Sequence, residues 1–249
     1  MGTPSDSDAS ESGSRRSDCS PEPTVTVVVP VHNEAGYVEH ALPRLLSELA
    51  SVKAETLVLV VENGSSDGTA GLVEQIMVNH STVQLLQLPE PNYGAAIRAG
   101  FAAALSDWVV VFDIDYFSGP FLSKALEKQD IADVVVGSKR AVGSHDGRGT
   151  TRRLATWTLN FVLRSALGLK ASDTHGMKAI RRTVLDAVAN DVVSTKDLFD
   201  TELVLRAERT GFRIVELPVV VEEERESKSK IWQRIPRTLL GIWRIRAAL

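Results

Sequence analysis

The chain has 249 residues, with 28 Lys and Arg against 32 Asp and Glu, a formal net charge of −4. A general nucleic-acid binder presents a basic face, so this balance argues against that class. Apolar residues form 43% of the chain, enough to bury a sizeable core, and the lone cysteine, Cys19, excludes an intramolecular disulfide. No apolar run reaches the roughly 18 residues of a membrane-spanning helix, and the first residues lack the apolar core of a secretory signal.

In chain order, residues 1–23 are rich in Ser, Asp, Glu, Gly and Pro and read as a disordered, mildly acidic tail that carries most of the net charge. A buried strand opens abruptly at Thr24-Val25-Thr26-Val27-Val28-Val29-Pro30. The pattern then predicts a helix over 36–50, a strand over 56–61, a turn at Asn63–Gly68 and a helix over 68–79 for which Asp67 is a plausible cap. Strands follow at 83–88, 108–112 and 131–136, with a small-residue helix at 94–105. This alternation predicts an α/β fold with a mostly parallel sheet flanked by helices, in which ligands bind beyond the carboxyl ends of the strands. The second half is less regular. It reads as a helix over 148–167, a short strand at 178–180, a helix over 196–210 ended by Gly211, and a strand over 212–221 that Pro218 marks as an edge or a kink. Residues 24–224 are expected to form one folded unit, and 225–249 a basic amphipathic C-terminal segment.

Polar residues gather at the predicted strand ends: His32-Asn33-Glu34, Glu62-Asn63-Gly64 and Asp113-Ile114-Asp115. Asp113 and Asp115 follow an apolar strand, and two carboxylates on one side of a strand end can hold a hard divalent cation, Mg²⁺ or Mn²⁺, that bridges to a diphosphate. An isolated pair of this kind is more often a polar strand end. Its place downstream of two other polar strand ends favours the site. Glu62 and Asn63 either begin a turn or hydrogen-bond a nucleobase or ribose. The small-rich run from Asn92 to Gly100, taken alone, is close helix packing with Arg98 on the surface. Its functional reading brings the backbone near Gly94 close to a ligand. Glu202 invites a role as general base, but Arg206 lies one helical turn on and an ion pair explains it better.

The ordered set Val28-Val29-Pro30-Val31-His32-Asn33-Glu34, Glu62 to Thr69, Gly94 to Gly100 and Asp113-Ile114-Asp115 resembles the family 2 glycosyltransferases of the GT-A fold. Later pieces resemble the dolichol-phosphate mannose synthase-like branch: Val136 to Arg140, Ser172 to Ala179, Asp200-Thr201-Glu202-Leu203, Glu216-Leu217-Pro218 and Ser227-Lys228-Ser229-Lys230. The resemblance implies a Rossmann-like GT-A domain and inverting transfer of a sugar from a nucleotide-sugar donor, mannose from GDP-mannose first and glucose from UDP-glucose as the rival, to a polyprenyl phosphate. Pro30, His32, Asn33, Glu34, Glu62, Asn63 and Asp67 would line the nucleotide pocket, with Gly94 and Arg98 beside it. Asp113 and Asp115 would hold Mg²⁺ or Mn²⁺. Arg140, Arg152 and Arg153 would face phosphate, and Lys230 would close over the diphosphate.

The sequence departs from the branch at His32, Glu62-Asn63, Phe117 after the carboxylate pair, His175-Gly176-Met177 and Ser227. These leave a soluble acceptor, and an inactive GT-A subunit serving as a scaffold, as alternatives. From Arg225 to Arg246 there are seven basic residues and one acid, with Trp232 and Trp243, a pattern suited to a helix lying on anionic lipid. The expected location is peripheral, on the cytoplasmic membrane face or through a membrane-anchored partner.

Overall fold

The computed structural model describes residues 24–139, 145–146, 158, 163–174, 176–195, 198–221 and 231–249. The elements run β1 (Thr24–Val31), α1 (Ala35–Leu49), β2 (Glu55–Asn63), α2 (Thr69–Met77), β3 (Val83–Leu88), α3 (Tyr93–Ala103), β4 (Trp108–Val111), α4 (Gly119–Leu126), β5 (Val134–Ser138), β6 (His145–Asp146), β7 (Lys178–Arg181), α5 (Arg182–Val188), α6 (Phe199–Thr210), β8 (Ile214–Pro218), β9 (Val220–Val221) and α7 (Ile231–Ala248). Residues 163–167 are also helical, within the helix expected over 148–167. The tail at 1–23 and the segment 222–230 lie outside the described residues.

Seven strands form one sheet in the order β3-β2-β1-β4-β7-β5-β8. β3, β2, β1 and β4 are parallel, as are β5 and β8, while β7 runs antiparallel to both β4 and β5. The mostly parallel sheet agrees with the sequence, and β7 is its one antiparallel strand among the described residues. Its four residues start at the sheet's carboxyl edge, so the segment that precedes a strand enters the site there. β8 is the edge strand that Pro218 implies.

β1 explains the two-sided core. Val25, Val27, Val29 and Val31 face one side and pack with Leu42 and Leu45 of α1 and Phe121 and Leu122 of α4. Val28 faces the other and packs with Ile97 and Phe101 of α3. Burial on both faces is why the strand reads as a continuous apolar run and not as an alternation. The second layer also takes in Phe199 and Leu203 of α6, and Ile242 and Ile245 of α7. No helix among the described residues is long and apolar enough to cross a membrane.

The far edge of the sheet is pinned by charge. Asp133 Oδ2 accepts from the Arg213 backbone N–H at 2.9 Å and from Nε at 3.0 Å, and Oδ1 accepts from Nη2 at 2.9 Å. Hydrogen bonds from Arg213 hold the Asp133 carboxyl down at about 2. The folded value lies below the unfolded one, so this contribution is complete above about pH 4 and is lost as pH falls toward 2. The pair is solvent-screened and is worth under about 1 kcal/mol. Asp133→Asn is expected to lower the urea midpoint slightly at pH 6, with the gap from the unchanged protein closing between pH 4 and pH 2.

Candidate active site

The loops after β1 and β2 interlock. Asn33 adopts φ 54°, a left-handed conformation open to asparagine. Its Oδ1 accepts from the Ser66 N–H at 2.9 Å, and its own N–H donates to Ser65 Oγ at 2.9 Å. His32 Nδ1 lies 2.9 Å from the Asn63 carbonyl. The Glu34 N–H donates to Thr69 Oγ1 at 2.9 Å. Asp67 serves two helices: Oδ2 accepts from Ala35 N–H at the start of α1, and Oδ1 from Thr69 N–H at the start of α2, both at 3.0 Å. The Thr69 hydroxyl, then the Ala35 N–H, lowers its pKa. Pro30 pairs with Val61 just below this loop.

Glu62 and Asn63 are nearly buried, 4% and 6% exposed. Glu62 accepts from the Ser65 N–H, and Asn63 Oδ1 accepts from Asn92 N–H at 2.8 Å. Asn92 in turn caps α3 by accepting from Ala95 N–H at 3.1 Å. The structure therefore gathers Pro30, His32, Asn33, Glu34, Glu62, Asn63 and Asp67 into one rim at the carboxyl ends of β1 and β2. Gly94 joins it: its N–H donates to the Thr195 carbonyl at 3.0 Å, and a Cβ would lie 2.6 Å from that carbonyl, so only glycine fits. Arg98 stands apart, with Nη1 donating to the Ala189 carbonyl at 3.0 Å, Nη2 to the Val192 carbonyl at 2.7 Å, and its guanidinium over the Phe199 ring. That geometry makes it a strut for the turn after α5.

Asp113 and Asp115 lie beyond β4, in a tight turn closed by the Tyr116 N–H donating to the Asp113 carbonyl at 2.9 Å. The expectation of one strand face is corrected here. β4 ends at Val111, and it is the turn that brings the two carboxylates together. Asp113 is partly buried and Asp115 exposed. Burial, and then the like charges of Asp200 and Asp115, push the Asp113 carboxyl up to about 6 against the opposing pull of Lys178 and Lys139. No group of three or more His, Cys, Asp or Glu side chains suited to a metal occurs among the described residues. Two crowded carboxylates nonetheless suit a hard cation that completes its shell with water and diphosphate oxygens, the usual habit of Mg²⁺.

Two lysines complete the setting, and sequence reasoning missed both. The Lys139 ammonium stands 5.2 Å from the centre of the Tyr116 ring. Lys178 at the start of β7 is fully buried and pairs with Asp200 Oδ1 at 3.2 Å. Asp200 Oδ2 accepts from the Tyr93 hydroxyl at 3.2 Å, and burial followed by the Asp200 charge raises the Tyr93 pKa well above its usual value. A lysine opening the strand expected at 178–180 was the one sign available for Lys178. A cleft of about 590 Å³ opens beside Asp115, with Phe117, Phe121, Met177 and Leu217 in its walls and Arg44 and Lys124 at its rim.

Glu202 is fully buried and accepts from Val193 N–H at 3.0 Å, Ser194 N–H at 2.8 Å and Arg206 Nε at 2.8 Å. It organises the 193–195 turn that touches Gly94. Glu202→Ala removes the carboxylate partner of the partly buried Arg206 guanidinium and strands two N–H groups, so a loss of about 2 kcal/mol is expected in chemical unfolding. Arg140, Arg152, Arg153, His175 and Lys230 lie outside the described residues.

Residues 26–189 match Glycosyl transferase family 2. The chain belongs to that family. It is 32% identical over 215 residues to an undecaprenyl-phosphate mannosyltransferase of Micrococcus luteus, covering 83% of this chain and 87% of that one. It is 30% identical over 226 residues to a polyprenol monophosphomannose synthase of Mycolicibacterium smegmatis, covering 85% and 82%. Among solved structures, it resembles the mannosyltransferase PcManGT of Pyrobaculum calidifontis, in complex with GDP-Man and Mn²⁺, at a TM-score of 0.66 and 23% identity, covering 90% of this chain and 64% of that one. It also resembles glucosyl-3-phosphoglycerate synthase of Mycobacterium tuberculosis, in complex with Mn²⁺, UDP and glucosyl-3-phosphoglycerate, at a TM-score of 0.64 and 22% identity, covering 88% and 80%. These likenesses establish the GT-A glycosyltransferase fold for this chain.

Proposed function

We propose that this glycosyltransferase moves mannose from GDP-mannose to the phosphate of a polyprenyl phosphate, with Mg²⁺ or Mn²⁺ held by Asp113 and Asp115, at the cytoplasmic face of a membrane. The observation that carries this reading is the crowded carboxylate turn after β4 in a chain of this family. Relatives named for polyprenyl-phosphate mannosyl transfer cover more than four fifths of the chain.

The bound metal would supply charge neutralisation for the departing nucleoside diphosphate. The remaining work belongs to the chain. The rim of Pro30, His32, Asn33, Glu34, Glu62, Asn63, Asp67 and Gly94 shapes the nucleotide side. A phosphate monoester with a second pKa near ~6 is already a nucleophile at neutral pH, so no strong general base is needed. The chain must bring the acceptor phosphate in line with the anomeric carbon and meet its charge with cations. We assign Lys139 from its placement, and Arg140, Arg152, Arg153 and Lys230 from sequence position, to that task. The outer face of α7, where Leu239, Leu240 and Trp243 are exposed, supports the peripheral location.

The test is a panel of GDP- and UDP-sugars with a polyprenyl phosphate and Mn²⁺ or Mg²⁺, scored for released nucleotide and lipid-linked sugar. Product from GDP-mannose alone is expected. Product from UDP-glucose would overturn the donor, product with a soluble acceptor and none with lipid would overturn the acceptor, and no turnover with any pair would favour a scaffold.

A further inference from the structure

Beside the carboxylate turn sits a buried ion pair for which sugar transfer gives no direct use. Lys178 stands opposite Val111 in the β4–β7 ladder and has no exposed surface. Its ammonium donates to the Gly176 carbonyl at 2.6 Å and the Thr174 carbonyl at 3.3 Å, and pairs with Asp200 Oδ1 at 3.2 Å. Gly176, at φ 111°, lies against Tyr116, where an added Cβ would come within 3.3 Å of the ring. Tyr116 closes the Asp113 turn. The ion pair thus reaches the metal carboxylates by a short path of contacts and by direct electrostatic influence on Asp113. Burying such a pair is costly, and an apolar residue of similar volume commonly serves stability as well or better. Its presence beside the carboxylate turn points to a role in charge.

We propose that Lys178 is a positioning residue whose buried ammonium, balanced by Asp200, holds down the affinity of Asp113 and Asp115 for a free divalent cation. This rests on the assignment of Asp113 and Asp115 as the metal carboxylates. A cation inside the wall repels a divalent ion at the turn, and Asp200 offsets part of that repulsion. Free metal is therefore held weakly, and the negative charge of a diphosphate supplies what the pocket withholds.

The two halves of the pair make opposite predictions. In Mn²⁺ titrations without nucleotide, read by the electron paramagnetic resonance signal of free Mn²⁺, Lys178→Met is expected to bind about tenfold more tightly than the unchanged protein. Asp200→Asn, which keeps the Tyr93 hydrogen bond and leaves the ammonium unbalanced, is expected to bind more weakly by a similar factor. Lys178→Met with Asp200→Asn falls between them. Should Lys178→Met alone fail to fold, the order of the double variant above Asp200→Asn still carries the test. A merely structural role would weaken binding in every variant, and that result, or no change in any, overturns the proposal. Asp113→Asn is the control. If it leaves Mn²⁺ binding intact, the metal assignment falls and the proposal with it. If it abolishes binding while the pair's variants fail to diverge, the counter-charge alone falls.

Discussion

Asp113→Asn is expected to lower metal-dependent transfer by about a thousandfold, since charge neutralisation by a bound cation is worth several kcal/mol in the transition state. The same change is expected to stabilise the metal-free protein. Burial, assisted by Asp200 and Asp115, raises the Asp113 carboxyl to about 6, above its unfolded value of 3.8. A carboxyl with a raised folded value favours the fold most at low pH, and that contribution is lost as pH rises from about 4 through 6. At pH 7 the metal-free fold therefore carries an ill-placed negative charge, which asparagine removes. Thermal unfolding in a chelator should show Asp113→Asn above the unchanged protein at pH 7.5 and level with it near pH 4. A variant with intact metal-dependent turnover would remove Asp113 from the site, and one destabilised at pH 7.5 would refute the account of its charge.

The second large effect is expected from the outer face of α7. Thr238, Ile242 and Ile245 are 5%, 6% and 0% exposed and bind the helix to the domain, while Leu239, Leu240 and Trp243 are 56%, 50% and 68% exposed on the opposite side. Gly241 packs so closely that an added Cβ would lie 2.6 Å from Leu198 Cδ1. The helix is thus docked by one stripe and leaves an apolar stripe outward, with Arg244 and Arg246 in the same last turns. An apolar ridge flanked by arginines fits the boundary between headgroups and acyl chains of an anionic bilayer. Moving those three side chains into lipid is worth about 3 kcal/mol after allowing for their partial exposure, or about a hundredfold in partition. Co-sedimentation with vesicles containing anionic lipid should fall by that order in Leu239→Ser with Leu240→Ser and Trp243→Ser. Transfer to a short-chain, water-soluble polyprenyl phosphate should stay unchanged. Undiminished vesicle binding would refute the role of this face.

What was legible in the sequence followed from burial. β1, β2 and β4 lie inside the sheet and pack on both faces, so their Val-rich runs carry their own label, and the polar residues that follow them mark the carboxyl edge. The pair Asp113 and Asp115 was legible as a pair, but its geometry was not, because β4 stops at Val111 and hydrogen bonding of Tyr116 to Asp113 folds the segment into a turn. α4 went unread although its signals are present. Ser118 Oγ accepts from the Phe121 N–H at 3.1 Å as its cap, proline sits in its first turn, and Phe121, Leu122, Ala125 and Leu126 form its buried stripe. α5 is too short to show a period. The reversal of β7 had no local sign, since strand direction is set by partners and not by composition. Lys178 and Asp200 meet only because β7 and α6 both start at the carboxyl edge, and such a pair has no spacing to be found by.

The reversed strand also bears on how the chain comes off the ribosome. β1 pairs with β2 and β2 with β3, each the next strand made, so the first half of the sheet can begin to assemble as synthesis proceeds. β5 waits longer: its neighbours, β7 and β8, both follow it, and β7 begins only at Lys178. Val134-Val135-Val136 therefore emerges with two unsatisfied edges, and its first partner arrives only with Lys178. Exposed apolar strand edges are templates for pairing with other chains. Val134 to Val136 is thus open to such pairing until β7, the inverted strand that delivers Lys178 to the site, is made.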